Sequence, residues 1–275
     1  MPEYRQKGII IKISSDMLGA IIGDIVGSRF EFNNTDKYDF EMFTDESTFT
    51  DDTICTIAIA DAITKGTDYK SSLLDWCRKY PNPKGAYGGS FARWIASSDP
   101  QPYNSFGNGS AMRVSPVAWA FDRLEDVLTE AEKTASVTHN HPEGIKGAVA
   151  VAHAIFHLRT THNLPGLERE MNRYYPCFML GNYFSGVFDE TCPGTVPVCL
   201  KIVRVSNSFE DAIRRAISWG GDSDTIGAIV GSMAEAQWDI PEDMRKEAFN
   251  RLPVDMLNAF GDFFQKLNNR SQYGK

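Results

Sequence analysis

No stretch of this 275-residue chain approaches the roughly 20 consecutive apolar residues that crossing a bilayer requires. With a mean hydropathy of −0.31, the sequence predicts a soluble protein. Basic charge is scarce as well: 28 Lys and Arg stand against 36 Asp and Glu, giving a net charge of −8 and a pI near 5.2. Such a surface repels polyanions at long range, so non-specific nucleic-acid binding is not expected. An anionic small ligand stays compatible where metal ions neutralise carboxylates locally. The 5 cysteines, Cys55, Cys77, Cys177, Cys192 and Cys199, include no C-x-x-C pair and cannot all pair with one another. Reduced thiols and a cytoplasmic location are the expectation. A secretory signal is not expected: Arg5 and Lys7 precede Ile9 to Ile11, but Lys12 interrupts the run and no small-residue cleavage site follows.

Internal repeats, low-complexity tracts and flexible linkers are also absent from the pattern. Residues 1–16 read as an N-terminal extension and 17–275 as one domain. Convincing strand alternation is rare. Tyr38 to Phe43 alternates weakly and suggests at most a short hairpin arm, while the regular turn clusters of an all-β fold do not occur.

What is present is helical periodicity. MLGAIIGDIVG, Met17 to Gly27, repeats glycine at 19, 23 and 27, a stripe that lets another helix approach closely. A glycine-rich loop is the alternative, although Ile21, Ile22, Ile25 and Val26 supply the apolar face of a helix. Further helices are predicted over Ile54 to Ile63, Ser71 to Lys79, Leu124 to Ala135, Gly144 to Leu158, Val196 to Val203, Phe209 to Trp219, Thr225 to Gln237 and after Pro241. Loops concentrate at Asn33 to Phe49, Pro81 to Gly89, Ser97 to Gly109 and Phe188 to Gly194. The predicted class is all-α, a compact orthogonal bundle of helices.

Two helix starts carry unusual acid. FTDDTI, Phe49 to Ile54, opens an apolar helix with Thr50, Asp51 and Asp52; GGDSDTI, Gly220 to Ile226, does so again with Asp222, Asp224 and Thr225. Either motif alone is explained by capping and by the helix dipole. Together they would place four carboxylates side by side, a repulsion that divalent cations relieve. A ligand set of carboxylate and hydroxyl oxygens suits hard ions such as Mg²⁺ or Mn²⁺. Glu31 stands nearby as an additional carboxylate or as a plain surface acid.

SFGNGSAMR, Ser105 to Arg113, is a glycine-rich turn entering a helix and could receive a diphosphate on its amides, or be an ordinary tight turn. It is not a Walker loop, because no Lys follows the glycines. His139 precedes a helix in which His153 and His157 have four-residue spacing; packing is their expected fate, since H-E-x-x-H is missing. His139 is expected to contact substrate or orient an aspartate. No nucleophile elbow or catalytic cysteine context occurs. Gly227, Ala228, Gly231 and Ser232 form a second small-residue stripe, expected to pack against Gly19, Gly23 and Gly27.

The combination GDIVGS with Glu31, then TDDT at 50–53, GNGSAMR at 107–113, Thr138-His139 and GGDSDTIG at 220–227 resembles the ADP-ribosylglycohydrolase family, motif by motif and in the same order from Met17 to about Ala236. The resemblance implies an all-helical fold and a binuclear Mg²⁺ or Mn²⁺ centre at the base of a cleft for ADP-ribose. Carried over by position, it implies Thr50, Asp51, Asp52, Asp222, Asp224 and Thr225 as metal ligands. Glu31, Asp52 and Asp224 become the catalytic candidates. Phe106, Gly107, Asn108, Gly109, Ser110 and His139 become the substrate contacts. The implied reaction is metal-dependent hydrolysis of the bond between ADP-ribose and an acceptor on a modified protein, with arginine expected. A serine, a nucleic-acid base or a small-molecule acceptor is the alternative, as is a non-catalytic ADP-ribose-binding protein, whose mark would be a broken metal motif. Tyr87 to Phe91 lacks the acidic residue that some arginine-directed members carry there, and it bears on the linkage rather than on the metal.

Overall fold

The computed structural model describes residues 3–6, 9–12 and 17–273, with side chains described over 17–269. Of the expected N-terminal extension, Glu3–Gln6 (β1) pairs antiparallel with Ile9–Lys12 (β2), Glu3 opposite Lys12; the rest of 1–16 lies outside the described residues. From Met17 onward the chain is helical, α1 (Leu18–Gly27) through α14 (Val254–Tyr273), in agreement with the all-α prediction. No helix among the described residues is long and apolar enough to cross a membrane.

The glycine stripe decides how the centre is built. α1 lies against α12 (Ser223–Glu235), and every residue of α1 is buried. A Cβ at Gly23 would sit 1.9 Å from Gly227 O, and one at Gly19 would sit 2.2 Å from Gly231 O. Only bare backbone admits that approach. The contact brings two helix ends into register. Glu235, in the last turn of α12, accepts from the amides of Leu18 (3.0 Å) and Gly19 (2.7 Å), placing a carboxylate on the otherwise unpaired N-terminus of α1.

Around this pair stand α2 (Asp51–Lys65), α8 (Pro142–Thr161), α10 (Cys192–Val205) and α11 (Phe209–Trp219), whose apolar residues form one continuous core. α2 begins at Thr50, whose side chain accepts from the Asp52 amide, and ends at Gly66 in the left-handed region. The expected hairpin arm at Tyr38 to Phe43 is irregular coil. Its alternation comes from Phe40, Met42 and Phe43 packing singly on the core, and Phe40 meets Phe30 edge to face at 5.3 Å between ring centres. Short helices not predicted from periodicity are α4 (Gly89–Ala96), α5 (Gly109–Met112), α6 (Ser115–Ala120) and α9 (Leu164–Met171). Each spans at most about two turns, too brief for a 3.6-residue period to stand out. All 5 cysteines are free thiols.

Candidate active site

The N-termini of α2 and α12 open on one cleft of about 250 Å³, whose lining includes Glu31, Asp51, Asp52, Asp222, Asp224 and Thr225. The lining also includes the start of α4, Ser105 and Gly107 to Gly109 of the glycine loop, and His139, Arg113 and Glu190. Capping explains little of this acid. Asp222 occupies the N-cap of α12 without capping it; its Oδ2 instead accepts from Asn108 Nδ2 at 2.6 Å. Asp52 Oδ2 accepts from Thr225 Oγ1 at 3.1 Å, tying one motif to the other across 173 residues of sequence, while Asp52 Oδ1 is buried with no partner. Glu31 Oε2 is likewise buried and unpartnered. Glu31, Asp222 and Asp224 each bring a carboxylate oxygen within 4.8 Å of the others.

A residue not singled out by its sequence pattern organises the floor. Asp24, fully buried in α1, accepts from Thr50 N (2.9 Å), Thr50 Oγ1 (2.7 Å), Thr53 N (3.1 Å) and the Thr53 hydroxyl. Thr50, expected among the metal ligands, therefore turns its hydroxyl proton to Asp24 and is buried beneath the cleft rather than lining it. Lone pairs of its oxygen remain on the other side, one of them facing the Asp52 amide at 3.3 Å. The signal for Asp24 was its place between Gly23 and Gly27 on a helix otherwise apolar, where a charge has no reason to be unless something binds it.

The turn before Asp222 is held from the other side. Gly220 and Gly221 have φ of +74° and +80°, and Asn34 clasps them: Gly221 N donates to Asn34 Oδ1 at 2.6 Å, and Asn34 Nδ2 donates to Gly221 O at 2.9 Å and Phe30 O at 2.6 Å. The clasp fixes the loop carrying Glu31 to the loop carrying Asp222.

Burial and mutual repulsion raise the acids. Burial first, then the charges of Asp222, Asp24 and Glu190, lift Glu31 to about 7. Asp24 rises to about 6 through burial, held back by the Thr50 and Thr53 hydrogen bonds. Asp51, Asp52 and Asp224 stand well above the ordinary carboxylate range, from burial and then from neighbouring carboxylates. Asp222 is raised by burial and opposed by the Asn108 hydrogen bond. A donor set of clustered oxygens, with two buried atoms lacking any partner, fits hard divalent cations.

The glycine loop is pinned to the segment before α10: Asn108 N donates to Glu190 O (2.6 Å), and Cys192 N donates to Phe106 O (2.9 Å). Gly107, Asn108 and Gly109 line the cleft with His139. Two of the expected substrate contacts, Ser110 and Phe106, lie outside the cleft lining, and the side chain of a third, Asn108, is committed within the fold. Ser110 is buried away from the cleft lining and donates to Gly144 O at 2.7 Å, because the one-turn helix α5 rotates it inward. The Asn108 amide is spent on Asp222 and on Thr195 Oγ1 (3.1 Å). Phe106, 45% exposed, sits outside the cleft lining with its ring 5.2 Å from that of His141. Glu190, which carried no sequence signal, reaches the cleft because its backbone pairs with the glycine loop. His153 and His157 are packed and satisfied: His153 Nδ1 lies 3.0 Å from Tyr174 Oη, and His157 Nε2 lies 3.0 Å from Asn163 O.

Residues 12–272 match the family model ADP-ribosylglycohydrolase. The chain belongs to the ADP-ribosylglycohydrolase family. It is 25% identical to the ADP-ribosyl-[dinitrogen reductase] glycohydrolase of Rhodospirillum rubrum, over 88% of this chain and 94% of that one. An ADP-ribosylhydrolase ARH3 of Xenopus tropicalis is 24% identical over 53% of this chain and 50% of its own length. A solved structure named ADP-ribosylglycohydrolase-related protein complex shares the fold, with a TM-score of 0.70 at 21% identity, covering 91% of this chain and 96% of that chain. This ADP-ribosylglycohydrolase is thus a hydrolase whose family acts on ADP-ribosylated substrates.

Proposed function

We propose that the cleft holds two Mg²⁺ or Mn²⁺ ions and hydrolyses the bond between ADP-ribose and an arginine acceptor on a modified protein. The observation that carries this reading is a set of buried carboxylates whose Asp52 Oδ1 and Glu31 Oε2 have no partner within the fold. Asp51, Asp52, Asp222, Asp224 and Thr225 would hold the ions, with Thr50 oriented from below by Asp24 and Glu31 at the edge. When bound, the ions supply positive charge to the cluster and Lewis-acid activation of water and sugar hydroxyls. The peptide loop at 107–109, in the same cleft lining as His139, would bind the diphosphate. Glu31, in the cleft lining beside Asp222 and Asp224, would take a proton from water attacking the anomeric carbon. Asp52 and Asp224 act by charge on the oxocarbenium-like state.

A second reading has its own support. The wall at Ala86, Gly88, Gly89 and Ser90 carries no carboxylate, which favours serine or another acceptor in place of arginine. The test is release of ADP-ribose from arginine-ADP-ribosylated protein by the purified chain with Mg²⁺, with Mn²⁺ and with EDTA, beside Asp52→Ala. Metal-dependent release lost in the variant supports the arginine reading. No release from arginine but release from serine-linked substrate moves the acceptor. No release from either, with ADP-ribose still bound, makes the chain a reader of ADP-ribose.

A further inference from the structure

The glycine-loop motif GNGSAMR ends in a cation that the proposed reaction leaves unused. Arg113 borders the cleft and is 1% exposed. Its guanidinium donates to Thr134 O (3.1 Å) and to Thr138 Oγ1 (2.8 Å), and Nε has no partner. Among the described residues no carboxylate joins these contacts, so the positive charge is not neutralised by an ion pair. A purely structural role is available, since Thr134 lies in the last turn of α7 (Leu124–Ser136), where a cation complements the helix dipole.

The second contact points elsewhere. Thr138 Oγ1 stands 2.7 Å from His139 Nδ1. Arginine only donates, so it fills one lone pair of the threonine oxygen and leaves the hydroxyl proton to be given away. The 2.7 Å separation accommodates either direction, so the direction is set by the arginine's donation to the threonine oxygen. A ring N–H directed at the Arg113 side would also set positive hydrogen toward positive guanidinium. Tyr103 is the other group on this side: its hydroxyl also hydrogen-bonds with the Thr138 side chain, and its ring centre lies 6.1 Å from the imidazole. The opposite edge of the imidazole meets open glycine: a Cβ at Gly109 would lie 3.2 Å from Nε2, and one at Gly107 would lie 3.5 Å from it. Nε2 has no hydrogen-bond partner among the described residues.

We infer that Arg113 positions His139 through Thr138, fixing the tautomer whose Nε2–H projects between Gly107 and Gly109 to donate to an anionic oxygen of the ligand. The ligand half rests on the reading that this cleft receives an ADP-ribosyl group. The chain of donors, cation to hydroxyl to imidazole to ligand, polarises each link in one direction. Burial and the same guanidinium keep His139 well below its ordinary pKa, so the ring stays a neutral donor.

The test uses the full-length protein with ¹⁵N-labelled histidine, Thr138→Val, Thr138→Ser and Arg113→Met. Nitrogen shifts of His139, recorded without ligand, report the tautomer, and calorimetry with Mg²⁺ reports affinity for free ADP-ribose. The expected wild-type state is Nε2–H. Thr138→Val and Arg113→Met shift it toward Nδ1–H and weaken ADP-ribose by about tenfold, while Thr138→Ser stays within about twofold of wild type. Because Thr138→Val keeps the Arg113 contact to Thr134, a solely structural arginine predicts no change of tautomer in that variant. An Nδ1–H wild type, or Thr138→Val with unchanged tautomer and affinity, overturns the inference. Wild-type protein that binds no ADP-ribose sinks the functional reading, and the ligand-free spectra still decide the relay.

Discussion

Replacing Gly23 by Ala should damage the proposed metal site without touching any of its proposed ligands. The added Cβ would stand 1.9 Å from Gly227 O and 2.2 Å from Gly227 C, both backbone atoms that no rotamer change can clear. Relief requires α1 and α12 to separate by at least about 1 Å, since Cβ contacts under 3.0 Å are essentially never adopted. Overpacking in a well-packed core costs about 1–3 kcal/mol and more where backbone must move. A loss of about 3 kcal/mol corresponds to a fall of roughly 6–12 °C in melting temperature for a domain of this size. The displacement also draws Thr225 and Asp224 from Asp52, whose bond to Thr225 is already 3.1 Å. Thermal melts with and without Mg²⁺ should therefore show both a lower baseline and a smaller Mg²⁺-induced rise. Gly66→Ala is the control: φ is +70° and nothing lies within 4 Å, so it costs only the left-handed strain of roughly 1–2 kcal/mol and keeps the full Mg²⁺ response. A Gly23→Ala protein melting within about 2 °C of wild type, with an intact Mg²⁺ response, would refute the close-packed contact.

Asp52→Asn keeps an oxygen for Thr225 and removes one of the crowded charges, so in EDTA it should melt above wild type while its stabilisation by Mg²⁺ disappears; wild type with Mg²⁺ about a hundredfold above its Kd should gain about 2.7 kcal/mol. The same repulsion sets a pH dependence. Folding raises Glu31 to about 7 and Asp24 to about 6, so without metal the folded state binds more protons than the unfolded between the ordinary carboxylate values and those limits. Melting temperature in EDTA should then rise as pH falls through that window, and saturating Mg²⁺, which needs the acids ionised, should remove or reverse the trend. His153 gives the opposite slope: burial lowers it to about 4 from an ordinary 6.5, so its contribution is present above 6.5 and lost as pH falls toward 4. Measured with Mg²⁺ present, His153→Gln should flatten that acid-side loss relative to wild type.

Periodicity made the long helices legible because their buried faces recur every 3.6 residues over three or more turns. Phe209 to Trp219 coincides with α11, and Leu124 to Ala135 falls one residue short of α7. The glycine stripes announced the α1–α12 contact, since small residues at four-residue spacing leave a groove that only another backbone fills. The acidic motifs announced themselves through charge density, which nearest-neighbour chemistry makes visible in the chain itself. Hydrogen-bond allocation was not visible, because a hydroxyl or amide has several possible partners and only tertiary placement selects one. Thus Ser110 turned to Gly144, the Asn108 amide went to Asp222, and Thr50 gave its proton to Asp24. Glu190 entered the cleft through a backbone pairing between segments more than 80 residues apart in sequence. The sequence by itself thus determined the helical class, the glycine-lined helix pair and the two acidic helix starts, all carried by local spacing. The tertiary structure alone decided which oxygens were left unpartnered in the cleft, because that depends on every neighbour arriving from elsewhere in the chain.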